Sequence, residues 1–471
     1  RSFPFQIAFV STEGLRRHDF IIVGGKAEKE IPPRLLLIFM LLYINWDGFS
    51  ASWYRMAHAS PLGTPNLDNL IAQGTVLLQQ RCGIPAITNP MQQALISGAW
   101  PEKTGNCYCY FDKAARRIVK TGRLNPCETI TEAAVRHGLT CASIHGWYVE
   151  NRGCTPGDAG NPYIADISLR NFEGRVQLLL DYLAGKPVPS GGKMIALLNR
   201  PDFLTIYADD IDTVCHNGAR LPYAEMRRAS TIDEWYENIQ YAVWRMDRAL
   251  ERLMRIPGVT IALASDHGGM PYGIAGFGAD ADEAALPRLA ELVQAIQRAG
   301  VAVAAIEKEG DPVPADAQAV LLAMETQAQL TWLVPASEGR QRAVLEGIRA
   351  LPFVRAALDQ NAQRALGAWP GMCDIYITTR PPYYLCGYEG KPFAGGSHAA
   401  LEDTVLDPFC AFWGAGVRRG VKAQERTSLV DFAPTACRLL GIEGPQDAVG
   451  RILTEALEER AAPALTEHPN D

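Results

Sequence analysis

Apolar residues recur along the chain in two rhythms. Short unbroken runs at 34–46 (ending Tyr43-Ile-Asn-Trp46), Thr140–Ile144, Phe203–Ala208 and Val259–Ala264 read as strands buried on both faces. Between them lie stretches with apolar positions three and four apart, which predict helices. One starts at Thr64-Pro65-Asn66 and stops at Gly74; a second follows Pro90, with Met91, Ala94 and Leu95 in phase. Others span 128–138, 168–185 and 231–255. This alternation predicts an α/β fold, a mostly parallel central sheet flanked by helices on both faces. Residues 150–165 are rich in Gly, Pro and Asn and read as a surface loop.

Residues 277–372 change character. They are alanine-rich, with helix patterns at 284–299 and 338–350 and strands near 301–306 and 329–334. They predict an inserted α+β cap domain. The expected layout is an N-terminal extension at 1–33 with one strand at Phe20–Val23, and a core at 34–276. The cap at 277–372 follows, then a returning core at 373–458 that opens with the strand Asp374–Thr379, and a tail at 459–471. A helix is expected within 427–457.

Composition narrows the picture. The 471 residues are 48% hydrophobic and 21% charged, as in a folded globular protein. A net charge of −7 gives no reason to expect a nucleic-acid polymer or a membrane as partner. The run at 34–46 resembles a signal-peptide core, but no small-residue cleavage site follows. It also falls short of the roughly 20 apolar residues needed to span a bilayer. Eleven scattered cysteines, with Cys107 and Cys109 too close for an ordinary zinc pair, predict reduced thiols and a cytoplasmic location.

The candidate chemistry gathers at strand ends. Parallel strands share a direction, so Asp47, the Asp209/Asp210/Asp212 group and Asp266 are expected at one edge of the sheet. Any one of them alone reads as a helix cap. Asp212 and His216, four apart, share a helix face, Asp266-His267 sits at a strand-to-loop junction, and His398 comes from a distant Gly-rich loop. Carboxylate and imidazole together favour zinc or manganese over calcium. Thr88, ahead of the helix after Pro90, sits where free N–H groups favour an anion; alone it reads as a helix-start residue. A threonine hydroxyl needs a neighbouring base or a metal before it is a useful nucleophile.

These pieces together resemble the alkaline phosphatase superfamily, most closely its type I phosphodiesterase/nucleotide pyrophosphatase branch, with phosphonoacetate hydrolase a near relative. The matching segments are Asp47-Gly48, Thr64-Pro-Asn-Leu-Asp68, Thr88-Asn89-Pro90 leading to Ser97-Gly98, Asp212-x-x-x-His216, Asp266-His267-Gly268 and Gly396-Ser397-His398. Near the end, Asp431-Phe-Ala-Pro-Thr435 and Leu439-Leu-Gly-Ile442 resemble the family's closing helix. The resemblance implies two divalent metal ions. One would be held by Asp212, His216 and His398, the other by Asp47, Asp266, His267 and the Thr88 hydroxyl. It implies a small phosphoryl substrate, attack by Thr88 and a phosphothreonine intermediate, and it sets a secreted or periplasmic location, as in many relatives, against the cytoplasmic one.

Two departures bear on the substrate. The residue after the nucleophile, commonly an aromatic in the nucleotide-cleaving branch, is Asn89, as in the phosphonoacetate hydrolase pattern. The candidate for the family's oxyanion-stabilising Asn is Asn106, which lies 18 residues past Thr88 where some twenty are usual and reads equally well as a turn residue. A phosphodiesterase is therefore expected. The alternatives are a C–P bond hydrolase or a phosphomonoesterase, and, outside catalysis, a binding relative. Tyr108, Tyr110, His145 and Trp147 are weaker candidates for the pocket, and Cys82 and Cys215 read as filler.

Overall fold

The computed structural model describes residues 40–273, 286–387 and 395–459. The expected strand at Phe20–Val23, the start of the apolar run at 34–39, the onset of the 284–299 helix and the tail from 460 lie outside them.

Nine strands make the central sheet. Their order is Val421–Ser428, Thr75–Arg81, Cys410–Trp413, Val259–Ala264, Met40–Trp46, Phe203–Ala208, Cys141–Ile144, Pro162–Ile164 and Thr155–Pro156. Every neighbouring pair is parallel except those made by Cys410–Trp413, which runs antiparallel to both its partners. The mostly parallel α/β architecture is as expected. Five of its strands were not foreseen: Thr75–Arg81, Cys410–Trp413, Val421–Ser428, and Thr155–Pro156 and Pro162–Ile164, which correct the reading of 150–165 as a surface loop and form one edge of the sheet. Polar residues such as Gln79, Gln80 and Arg426 interrupt the apolar pattern in two of them.

The Met40–Trp46 strand shows why both faces must be covered. Met40, Leu42, Ile44 and Trp46 point to one face and pack with the helices Ala51–Ala59, Pro65–Gln73, Phe172–Leu183 and Ile232–Met254. Leu41 and Tyr43 point to the other, against the helices Thr88–Ser97, Ile130–Arg136 and Phe432–Leu440. All seven residues of the strand are buried. The expected helix in 427–457 is the nine-residue Phe432–Leu440, stopped by Gly441 in the left-handed region at φ 74°.

A buried carboxylate fastens one layer. Asp247, inside the Ile232–Met254 helix, accepts the N–H of Leu67 at 2.7 Å and of Asn66 at 3.1 Å, and the Asn66 side-chain amide at 2.9 Å. It caps the Pro65–Gln73 helix from outside, where Thr64 makes no side-chain cap bond. The Thr64–Asp68 motif is thus a docking device between two helices.

A second sheet has the order Val303–Ile306, Ala319–Met324, Gln327–Trp332, Ile375–Thr379, Val354–Asp359, with the helices Leu289–Arg298 and Glu338–Arg349 packed on it. Here one expectation is corrected. Asp374–Thr379 was read as the return to the central sheet, but Ile375–Thr379 pairs with Gln327–Trp332 and Val354–Asp359 inside the second sheet. An apolar strand buried on both faces carries no label saying which sheet it joins. No helix among the described residues is long and apolar enough to cross a membrane, and all eleven cysteines are buried and unpaired.

Candidate metal centre

Sheet register brings the acidic strand ends level. Asn45 lies beside Tyr207 on one side and Ala264 on the other, so the residues that follow, Asp47, Asp209 and Ser265-Asp266, leave the sheet along one edge. Gly48 then turns with φ +73°. A Cβ there would lie 3.1 Å from the Asp212 Cβ, so a side chain would force apart the two segments that supply Asp47 and Asp212.

Two triads form at this edge. In the first, His267 Nδ1 is 3.0 Å from the Gly268 carbonyl. A carbonyl only accepts, so Nδ1 carries the proton and Nε2 is left with its lone pair. That Nε2 is 3.4 Å from Asp266 Oδ2, 3.6 Å from Asp47 Oδ1 and 3.2 Å from the Thr88 hydroxyl. In the second, Asp212 and His216 stand one helical turn apart with Oδ1 and Nε2 at 3.5 Å, and His398 Nε2 approaches to 3.2 Å from His216 Nε2 and 3.8 Å from Asp212. His398 donates its Nδ1 proton to the Ala86 carbonyl at 3.1 Å, which again leaves Nε2 free. Within each triad the candidate ligand atoms all lie within 4.8 Å of one another. The His267 and His398 rings, 4.2 Å apart between centroids, join the two. The Gly-rich approach to His398 is also steric, because a Cβ on Gly396 would sit 2.5 Å from the Cys215 carbonyl oxygen.

The donor set fits cations. Asp47 Oδ1 and Asp266 Oδ2 are fully buried and have no hydrogen-bond partner, although buried carboxylate oxygens normally find one. Burial pushes the Asp47 carboxyl well above the usual carboxylate range, and the neighbouring Asp266 and Asp212 charges push it further. Burial raises Asp266 as well, opposed by His267. His398 is held well below the ordinary histidine range, first by burial and then by the His267 and His216 rings. Buried carboxylates that resist bare ionisation, beside the His398 imidazole that resists protonation, are an environment a divalent cation stabilises.

The other sequence candidates fall elsewhere. Of the two readings of Asn106, oxyanion donor and turn residue, its hydrogen bonds favour the second. Its two amide hydrogens go to the Gly122 and Leu124 carbonyls, each at 3.0 Å, and its oxygen accepts from Thr121 and the Tyr108 N–H. The shortened spacing places it in a loop tie, with no donor left for a substrate. Asp209 pairs with Arg175 at 2.7 Å, and Asp210 accepts from the Phe172 N–H and the Tyr223 hydroxyl, so only Asp212 of that group faces the triads. His145 accepts the Asp166 N–H, and burial lowers it to about 4. Tyr108 is 40% exposed and Tyr110 packs on Trp369. Trp147 stands edge-on to Tyr207 with the Arg123 guanidinium over its ring. Cys82 and Cys215 are buried, and burial raises both thiols.

Sequence reasoning missed Tyr207, whose buried hydroxyl donates to Asp47 Oδ2 and turns Oδ1 toward His267. A tyrosine just before the acidic end of a buried strand was the available signal.

Comparison with known proteins accords with this geometry. No curated protein sequence matches the chain. Among solved structures, murine ectonucleotide pyrophosphatase / phosphodiesterase 5 superposes with a TM-score of 0.56 at 15% identity, over 86% of this chain and 96% of that one. The human form gives 0.56 at 16% over the same shares. An inactive threonine-to-alanine variant of the murine protein, in complex with AMP, gives 0.55 at 14%, again over 86% and 96%. These likenesses establish a shared fold. A sequence profile described as type I phosphodiesterase / nucleotide pyrophosphatase matches residues 41–401, most of the chain. The chain therefore belongs to the type I phosphodiesterase / nucleotide pyrophosphatase family, metal-dependent hydrolases of phosphodiester bonds.

Proposed function

We propose that the protein hydrolyses a small phosphodiester, with Thr88 as nucleophile beside two divalent cations. One cation would be held by Asp47, Asp266 and His267 with the Thr88 hydroxyl, the other by Asp212, His216 and His398. The observation that carries this reading is the Thr88 hydroxyl 3.2 Å from His267 Nε2, at the edge of a triad with two unpartnered carboxylate oxygens. Carboxylate and imidazole donors suit zinc, with manganese second. When bound, the cations would lower the hydroxyl pKa and offset negative charge on the phosphoryl oxygens.

The chain's own residues do the rest. Thr88 opens the helix Thr88–Ser97, where first-turn N–H groups have no acceptor within the helix and favour a phosphoryl oxygen. Its oxygen attacks phosphorus, the ester alcohol leaves, and the phosphothreonine that results is hydrolysed by water. Tyr207 fixes the orientation of Asp47, while Ala86 and Gly268 fix the tautomers of His398 and His267. The second sheet is read as a cap that shapes access to this edge.

AMP bound to the murine relative supports a small nucleotide as substrate. Asn89, at the position where that branch commonly has an aromatic, favours a second reading, a C–P hydrolase acting on a small phosphonate. Bis-aryl phosphate, mono-aryl phosphate, a nucleotide diester and phosphonoacetate assayed in parallel, with and without chelator, separate the two. Thr88→Ala is expected to abolish turnover of the preferred substrate. Full turnover by that variant, or full activity after chelation, would refute the mechanism.

A further inference from the structure

We propose that the second sheet positions His398, through the hydroxyls of Thr326 and Tyr376. The inference rests on the reading of His398 as a cation ligand. Thr326 lies in the turn between the strands Ala319–Met324 and Gln327–Trp332 and is 1% exposed. Its hydroxyl donates to the His398 carbonyl at 2.9 Å. Tyr376, fully buried on the Ile375–Thr379 strand, donates to the Ala399 carbonyl at 2.9 Å. Glu325 accepts the Ser397 hydroxyl at 2.8 Å, so three consecutive residues, 397–399, are held from the second sheet.

The anchor is itself braced. The Thr379 N–H and hydroxyl both donate to the Thr326 carbonyl, at 2.9 and 3.2 Å. On the opposite side, the Ala399 N–H and the His398 ring both donate to the Ala86 carbonyl, two residues before Thr88. Ala399 sits at φ +65°, a left-handed conformation that an alanine holds only when its surroundings impose it. The segment is therefore clamped between the second sheet and the loop that delivers Thr88. Thr326 and Tyr376 touch no ligand atom; they are positioning residues, and hydrogen-bonded supports of metal ligands typically contribute about 10- to 100-fold in metal affinity.

Thr326→Val and Tyr376→Phe each delete one hydroxyl with little change of shape. Zinc is titrated into the metal-free full chain in competition with a chromogenic chelator, and cobalt(II) absorption reports ligand geometry. The double variant, with a wild-type circular dichroism spectrum, is expected to bind one of two zinc ions about 10- to 100-fold more weakly and the other as before. Its cobalt spectrum should change, its kcat should fall with little change in KM, and Thr326→Ser, which keeps the hydroxyl, should hold the Asp212–His216–His398 site at wild-type affinity. Wild-type affinity for both ions in the double variant, whatever its melting temperature, would overturn the positioning role alone. A wild-type protein that binds no zinc would overturn the site assignment, and this inference with it.

Discussion

Replacing Asp47 by Asn should stabilise the metal-free protein and destabilise the metal-loaded one. Asp47 Oδ1 and Asp266 Oδ2 are both fully buried, unpartnered and within 4.8 Å of each other. Two unit negative charges at that distance repel by about 3.5 kcal/mol at an effective dielectric of about 20. The metal-free protein relieves part of this by taking up a proton, which the upward push on both carboxyls anticipates. The net gain from Asp47→Asn at pH 8 is therefore about 1–3 kcal/mol, a rise of a few degrees in melting temperature for a chain of this size. Asn keeps an oxygen to accept from Tyr207, so little packing is lost. Zinc at about a thousand times its dissociation constant adds about 4.1 kcal/mol to wild type through that site, and this the variant forfeits. The assay is differential scanning fluorimetry of both proteins after chelation, and again with zinc restored. The order of stability should invert between the two conditions. A chelated Asp47→Asn protein less stable than chelated wild type, with an undiminished response to zinc, would refute the account of the triad as a carboxylate pair awaiting a cation.

Further outcomes follow from other contacts. Asp247→Ala strips two backbone N–H groups and an amide of their acceptor, and should cost about 2–4 kcal/mol in urea melts; a cost below about 0.5 would show that Asp247 does not dock the two helices. Asn106→Ala should lower stability while leaving kcat/KM within a few-fold, since an oxyanion donor would cost about 100- to 1,000-fold. Asp407, half-buried beside Arg55 and Ser52, is raised by desolvation from 3.8 to about 6, so the folded state holds its proton more tightly than the unfolded chain. The stability it confers is complete below pH 3.8 and is lost as pH rises through about 6, by at most about 3 kcal/mol. Asp407→Asn should flatten that fall between pH 4 and pH 7; parallel curves for variant and wild type would contradict it.

What could be read from the sequence divides along physical lines. Strands buried on both faces announce themselves as apolar runs, so Met40–Trp46, Phe203–Ala208 and Val259–Ala264 were legible, and with them the edge where Asp47, Asp212 and Asp266 emerge. Thr75–Arg81 and Val421–Ser428 were hidden because each exposes polar residues along its length. Ile375–Thr379 was seen as a strand but given to the wrong sheet, since strand pairing depends on distant partners. Residue type and spacing pointed to metal binding at Asp212/His216, Asp266-His267 and His398, whereas their division into two triads came from the family resemblance. Thr326 and Tyr376 could not be anticipated, because a hydroxyl that holds a backbone carbonyl leaves no trace in local pattern. Asn106 stayed open between two roles because an amide suits a loop tie as well as an oxyanion.

The antiparallel strand Cys410–Trp413 has a consequence for biosynthesis. Within the central sheet, Thr75–Arg81 pairs only with it and with Val421–Ser428. A growing polypeptide thus carries this early segment without its neighbours until more than three hundred further residues have left the ribosome, a long interval for an open β edge. Chains cut short before Cys410 should accumulate as aggregates rather than as a smaller folded body, and chaperone demand should be concentrated in that interval of translation.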